Sequence, residues 1–395
     1  MTAKELVPKY KEWERSIRRE LHQHPETAFN EVNTTRYIAK KLDEMGIPYE
    51  INEARHTGLV AKITGAHPGK AIMLRADIDA LPVTEKNTFD FKSKEEGKMH
   101  ACGHDGHIAV LLGAAKMLLD MKDQLEGDVY LVFQPAEEIF KGAEYMLKFG
   151  DWYDKVSSVF GGHLWVQVPA GKVNIAAGPR WAATDRFKIK VHGKSSHGAN
   201  PQEGVDALLI ASTIVVNLQS IVSRHFNPLD PVVLTVGSLT SGTAYNIVAG
   251  EAVMEGTTRY FAKEIGPELK KMITAFAEDT AREYGGSAEV DYDFLVPPVV
   301  NEEKSVELAK KVACEILGKN ALYPLGQNMV GDDFALYLEH KPGCYIFPGI
   351  YNADPAIDAT HMHHNDHFNM DDSVLSSVSA IFAEYAIEWL RGHHK

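Results

Sequence analysis

The alternation of strand and helix signals between residues 58 and 165 constrains the fold more than any other feature. GLVAKITG (58–65), AIMLRAD (71–77), VYLVFQP (129–135) and VSSVFGGHLW (156–165) are short, rich in β-branched residues and bounded by glycine, proline or charge. Such runs read as buried strands. Segments 32–45, 105–122 and 142–150 carry helical periodicity, and Tyr10, Trp13, Ile17 and Leu21 recur at spacings of three and four in an amphipathic helix over 9–23 that Pro25 ends. Residues 1 to about 180 are therefore expected to form layers of helix on a mixed or parallel sheet.

Around Gly178 and Pro179 the pattern changes. RFKIKVHG (186–193) alternates polar and apolar residues, and a helix follows over 203–222. Strands PVVLTVGSLT (231–240) and AYNIVAGEAVMEGTTRY (244–260), a helix over 266–284 and the strand SAEVDYDFLV (287–296) complete the order βαββαβ, a split βαβ sheet. After Pro297 and Pro298, a helix over 303–317, a strand near 344–347 and a helix over 373–391 read as a return to the first domain. The expected fold class is α/β with two domains: a catalytic α/β/α domain in two pieces, 1–182 and 298–395, and an inserted ferredoxin-like domain, 183–297. A chain of 395 residues is longer than one core usually grows.

Composition narrows the partner. Acidic residues outnumber basic ones by 54 to 41, a formal charge of -13, which disfavours nucleic acid and anionic membrane surfaces and favours a small solute. The first residues contain no apolar core of signal-peptide length, no stretch is expected to reach the ~20 apolar residues of a membrane span, and the cytoplasm is the expected compartment. Three cysteines, Cys102, Cys314 and Cys344, are too few and too odd in number for a disulfide framework. A special cysteine here is a ligand or a nucleophile.

HACGHDGH (100–107) places Cys102, His104 and His107 directly before an apolar helix, whose N-terminus favours a thiolate. A thiolate and an imidazole two residues apart can face one metal; a structural cysteine with solvent-facing histidines is the alternative. FQPAEE (133–138) delivers Glu137 and Glu138 to the end of a strand, where ligands bind in open α/β sheets. Pointing to different sides, they would supply a metal ligand and a proton acceptor, although an EE pair is more commonly a solvated turn. His163 follows two glycines at another strand end. THMHHNDHF (360–368) holds four histidines, of which His363 and His364 cannot both face one site from an extended segment.

RADIDALP (75–82), HACGHDGH, QPAEE, GGHL and HHNDHF resemble, in that order, the signatures of the M20 metallopeptidase clan, in its amidohydrolase branch of hippurate hydrolases, N-acyl-L-amino acid aminoacylases and plant auxin-conjugate hydrolases. LHQHPETAFNE (21–31) and GDDFALYLEHKPGCYIFPG (331–349) extend the resemblance across essentially the whole chain. It implies Cys102, His104, Glu138, His163 and His364 as ligands of two divalent ions, manganese or zinc with cobalt or nickel as alternatives, and Cys102 as the bridge. It further implies Glu137 as general base and acid, Asp79 as the residue orienting a ligand, His197 of KSSHGANP (194–201) as the group that polarises the scissile carbonyl, and Asn246 and Arg259 as holders of the substrate carboxylate. In related enzymes the inserted domain is a lid and dimer interface, so a homodimer or higher oligomer is implied, with His197 acting within one subunit or across to its partner. Two departures stand out: Asn365-Asp366 follows the last ligand histidine, leaving His363 or His364 to coordinate, and Asp332 stands where many relatives carry glutamate.

The resulting expectation is a metal-dependent amidohydrolase cleaving N-acyl-L-amino acids, with a metal-activated water and Glu137 as base. Three rivals are a dipeptidase or metallocarboxypeptidase, a cysteine hydrolase built on Cys102 and His104, and a metal-binding protein without catalysis.

Overall fold

The computed structural model describes residues 1–393. They fall into two compact units, Met1–Gly178 with Val300–Gly326 and Asp333–Lys395, and Pro179–Val299 with Gln327–Asp332. The short segment Gln327–Asp332 thus groups with the second unit, which the sequence pattern did not anticipate.

In chain order the first unit contains α1 (Ala3–Gln23), α2 (Val32–Met45), β1 (Tyr49–Ile51), β2 (Leu59–Ile63), β3 (His67–Asp77), α3 (His104–Asp120), β4 (Glu126–Gln134), β5 (Ser158–Gly162), β6 (Trp165–Pro169) and β7 (Val173–Asn174). The second contains β8 (Ala183–His192), β9 (Ser196–His197), α4 (Ala207–His225), β10 (Val232–Ser241), β11 (Ile247–Val248), β12 (Glu251–Tyr260), α5 (Ile265–Glu283) and β13 (Ser287–Val296). The chain then returns through α6 (Glu303–Leu317), β14 (Gly343–Tyr351) and α7 (Leu375–Gly392).

The large sheet has the order β1-β2-β4-β3-β5-β14-β6, with β7 also on β14. Its centre is parallel, β4, β3, β5, β14 and β6 running together; β2 runs against β4, β1 pairs antiparallel with β2, and β7 pairs antiparallel with β14, so the sheet is mixed as expected. Helix α3 is apolar nearly all round because it packs between the sheet and the helices α1 and α7. Leu6, Tyr10, Ile17 and Leu21 of α1 are buried against it.

VSSVFGGHLW does not form one strand. β5 lies on one side of β14 and β6 on the other, and the chain crosses between them at His163 and Leu164. Gly162 permits the crossing, since a Cβ there would sit 2.8 Å from Ile346.

In the second unit β10-β12-β8-β13 form an antiparallel sheet covered by α4 and α5. AYNIVAGEAVMEGTTRY also breaks: β11 leaves the main sheet to pair with β9, and Gly250 marks the break, a Cβ there meeting Ser195 Oγ at 2.5 Å. Helix α4 corrects one expectation. It is long and apolar enough, by length and composition, to span a membrane, yet Ile210, Ile214, Leu218 and Ile221 are buried on the sheet of this unit.

Candidate metal centre

Strands β3, β4 and β5 end together at the edge where an open α/β sheet binds its ligands. Asp79 follows β3. Glu137 and Glu138 follow β4 in a single tight turn flanked by Ala136 and Phe140, both left-handed at φ 55° and 54°. His163 follows β5. Cys102 sits in the turn before α3, and His364, left-handed at φ 66°, is tied to that turn by its N–H donating to the Ala101 carbonyl at 2.8 Å.

These elements bring one set of side chains together. Cys102 Sγ is 3.3 Å from His163 Nε2, and His364 Nε2 is 3.4 Å from Glu138 Oε2. His104 Nε2 lies 3.9 Å from both Glu137 Oε2 and Glu138 Oε1, so the two glutamates converge on one imidazole instead of turning to different sides. Cys102, His104 and His163, Cys102, Glu138 and His364, and His104, Glu137 and Glu138 each present ligand atoms within 4.8 Å of one another. Cys102 belongs to two of these groups.

The donor set fits divalent cations. Asp79's carbonyl accepts from His104 Nδ1–H at 2.8 Å, which leaves the Nε2 lone pair facing the carboxylates. That Nε2 and Glu138 Oε1 are both buried without a hydrogen-bond partner. Burial alone would lower the pKa of His104, but Asp77, Asp79 and Glu138 raise it to about 10, so the site demands positive charge at this atom. Spacings of 3.3 to 3.9 Å are those that two ligands, each ~2.0–2.3 Å from one cation, can span. Burial, Glu138, Glu137 and Asp77 push the Cys102 thiol well above its ordinary range, outweighing the helix N-terminus that was expected to favour a thiolate. Metal binding would reverse that balance by displacing the proton.

A model of peptidase family M20/M25/M40 matches residues 73–388. The chain belongs to this family. It is 40% identical over 370 residues to an N-acetyl-L-cysteine deacetylase of Bacillus subtilis, covering 94% of this chain and 86% of that protein. It is 41% identical over 302 residues to an N-acyl-L-amino acid amidohydrolase of Geobacillus stearothermophilus, covering 76% and 81%. A crystal structure described as a dinuclear metal-binding M20 peptidase from Bacillus subtilis superposes with a TM-score of 0.85 at 34% identity, covering 97% of this chain and 99% of that one. The resemblance read from the motifs is thereby borne out, as is the α/β class.

Around the centre of this M20 chain stand Asp79, which the resemblance implied, and several residues that the sequence did not point to. Asp79 Oδ2 accepts from the Glu138 N–H at 3.0 Å, an orienting contact of the kind expected of it. Glu31, buried, accepts from the Ala136 N–H at 2.9 Å and so braces the glutamate turn from α2's start; burial and Asp79 push its carboxyl up to about 8. Behind them Arg75 reaches Asp77 at 2.5 Å, Gln134 at 3.0 Å and Asp333 at 2.9 Å, while Asp333 also accepts from Gln134 and the Ala143 N–H. Arg75 and Asp77 lie inside RADIDALP, but an alternating strand pattern does not announce a buried ion pair. His363 is turned away from Glu138; its Nε2–H donates to the Leu164 carbonyl at 2.9 Å, and its ring stacks on Trp165.

The remaining expected residues lie in the second unit. His197 Nδ1 accepts from the Ala199 N–H at 3.0 Å, so Nε2 carries the ring hydrogen and is exposed. Asn246 is beside it, its carbonyl accepting from the Gly198 N–H at 2.7 Å. Arg259 is elsewhere. It lies eight residues along β12 from Glu251, roughly 26 Å at ~3.3 Å per residue, at the far end of the sheet from His197. Its Nη1 donates to the Thr258 carbonyl at 3.0 Å.

Proposed function

We propose that this M20 chain is a metal-dependent amidohydrolase that cleaves N-acyl-L-amino acids to a carboxylic acid and a free amino acid. The convergence of Glu137 with Cys102, His104, Glu138, His163 and His364 carries this reading: a proton-transfer carboxylate stands against a complete ligand set. The names of the relatives support the substrate class.

Cys102, His104, Glu138, His163 and His364 would hold the two ions, and their donor chemistry suits manganese or zinc. Two divalent cations, when bound, supply Lewis acidity that acidifies water and polarises the scissile carbonyl. Glu137 takes the proton from the attacking water and passes it to the leaving amine. His197 donates Nε2–H to the developing oxyanion. Asn246 and Arg259 hold the free carboxylate, Arg259 through its planar fork. Asp79 keeps His104 in the tautomer that coordinates.

A homodimer through the second unit accounts for the distance between His197 and Arg259, since two chains can then serve one substrate. Two surface features support it. Edge strand β10 carries no charged residue, whereas the opposite edge, β13, carries Glu289, Asp291 and Asp293. Leu208, Leu209 and Val216 of α4 are exposed at 46%, 50% and 69%.

The cysteine-hydrolase rival expected His104 as the base, whereas Cys102 Sγ meets His163 Nε2 at 3.3 Å, and burial with Glu138, Glu137 and Asp77 pushes the thiol up, away from the thiolate a nucleophile needs. After metal reconstitution, release of amino acid from N-acetyl, N-benzoyl and dipeptide substrates tests the reading. Acyl substrates should turn over faster; a preference for dipeptides would make the protein a peptidase.

A further inference from the structure

Each histidine-rich run supplies a histidine that the metal centre does not use and that reaches Leu164: His107, buried, from HACGHDGH, and His363, half-buried, from THMHHNDHF. Both meet the backbone of one residue, on the two peptides that flank its Cα. The Leu164 N–H donates to His107 Nε2 at 2.9 Å, and the Leu164 carbonyl accepts from His363 Nε2–H at 2.9 Å. That carbonyl also accepts from His163 Nδ1–H at 2.9 Å.

A backbone N–H only donates and a carbonyl only accepts, so these contacts fix all three tautomers. His107 must carry its hydrogen on Nδ1, which donates to Asp77 at 2.5 Å, and Asp77 is itself held by Arg75. His163 must carry its hydrogen on Nδ1, leaving the Nε2 lone pair toward Cys102 Sγ. Leu164 lies in the gap between β5 and β6, outside the sheet ladder. If the Leu164–Trp165 peptide turned, His163 would lose its carbonyl acceptor and either ring nitrogen could carry the hydrogen.

We propose that His107 and His363 are positioning residues that clamp the Leu164 backbone, one on each of its flanking peptides, and so keep the His163 Nε2 lone pair turned to the metal centre. The proposal rests on the reading of His163 as a ligand. It also divides the work within each run: His104 and His364 face the centre, while His107 and His363 set the ring of a third.

Two substitutions at one position separate clamping from packing. His363→Phe keeps a ring to stack on Trp165, 4.3 Å away between centroids, but has no donor. His363→Gln keeps an amide donor and loses the ring. Nitrogen NMR of histidine-labelled, metal-free protein reads the His163 tautomer, and competition against a chelator reads zinc affinity. His363→Phe should give mixed His163 tautomers and a zinc affinity lower by ~10–100-fold, the usual cost of losing an outer partner of a ligand, while His363→Gln keeps the Nδ1–H form and near wild-type affinity. A wild-type tautomer and affinity in His363→Phe, or equal damage from both variants, overturns the proposal. Wild-type protein that holds the Nδ1–H tautomer yet binds no zinc would remove the ligand assignment and leave the clamp standing.

Discussion

His104 Nε2 and Glu138 Oε1 face each other across 3.9 Å, both buried and neither hydrogen-bonded. An imidazole lone pair opposed to a carboxylate oxygen is repulsive unless a cation or a proton lies between them. A proton on His104 answers that demand in the metal-free chain, and a cation that takes its place binds only the folded state. Protein stripped of metal should unfold at a lower temperature than the same protein with zinc or manganese, and the difference should grow with metal concentration, reaching ~4 kcal/mol at a thousand times Kd. Calorimetry at several metal concentrations checks this; a midpoint that ignores metal would contradict it.

Glu137→Gln separates proton transfer from coordination. The amide cannot accept a proton from water, so turnover should fall by ~10²–10⁴-fold while bound metal is unchanged. Metal content by elemental analysis, measured beside kcat on the same preparation, gives the outcome. Near-normal turnover would move the base elsewhere.

The strands and helices that place the centre were legible because their apolar periodicity matches their burial. α2 spans Val32–Met45, the residues its pattern marked, β3 contains its expected run, and β4 contains all of its run but Pro135. Breaks were not legible. β5 and β6 separate at His163 because β14, distant in sequence, inserts between them, and composition carries no trace of such a crossing. Individual ligand candidates were visible by residue type, and the ordered motifs joined them into one set. Asp333, Arg75 and Glu31 stayed hidden because each acts through a partner far along the chain. His364 is left-handed, and the two adjacent rings part there, His363 meeting the Leu164 carbonyl and His364 meeting Glu138.

Asp333 is the keystone of the network behind the centre, accepting from Arg75, Gln134 and the Ala143 N–H. Asp333→Ala leaves the buried Arg75 charge with fewer partners and should cost ~3–5 kcal/mol. Denaturant unfolding measures it; a loss under 1 kcal/mol, the range of exposed ion pairs, would mean the network contributes little.

Glu14 gives the fold a pH dependence remote from the metal. It is buried where α1, α3 and α7 meet, with Ser379 Oγ donating to it at 2.8 Å, and burial pushes its carboxyl from 4.5 up to about 8. The neutral form is favoured in the fold. Its contribution is thus fully present below pH 4.5 and is lost as pH rises toward 8, by an amount on the order of a few kcal/mol. Glu14→Gln, which cannot ionise, should flatten the decline of thermal midpoint between pH 5 and 8. An unchanged pH profile would show that Glu14 is charged in the fold.

The most direct test of the whole account is amide hydrolysis of an N-acetyl amino acid, assayed before and after chelation and again after adding zinc or manganese. Metal-dependent amidohydrolysis predicts release of acetate and free amino acid, lost on chelation and restored by metal. Hydrolysis that resists chelation but is abolished by thiol alkylation would contradict it.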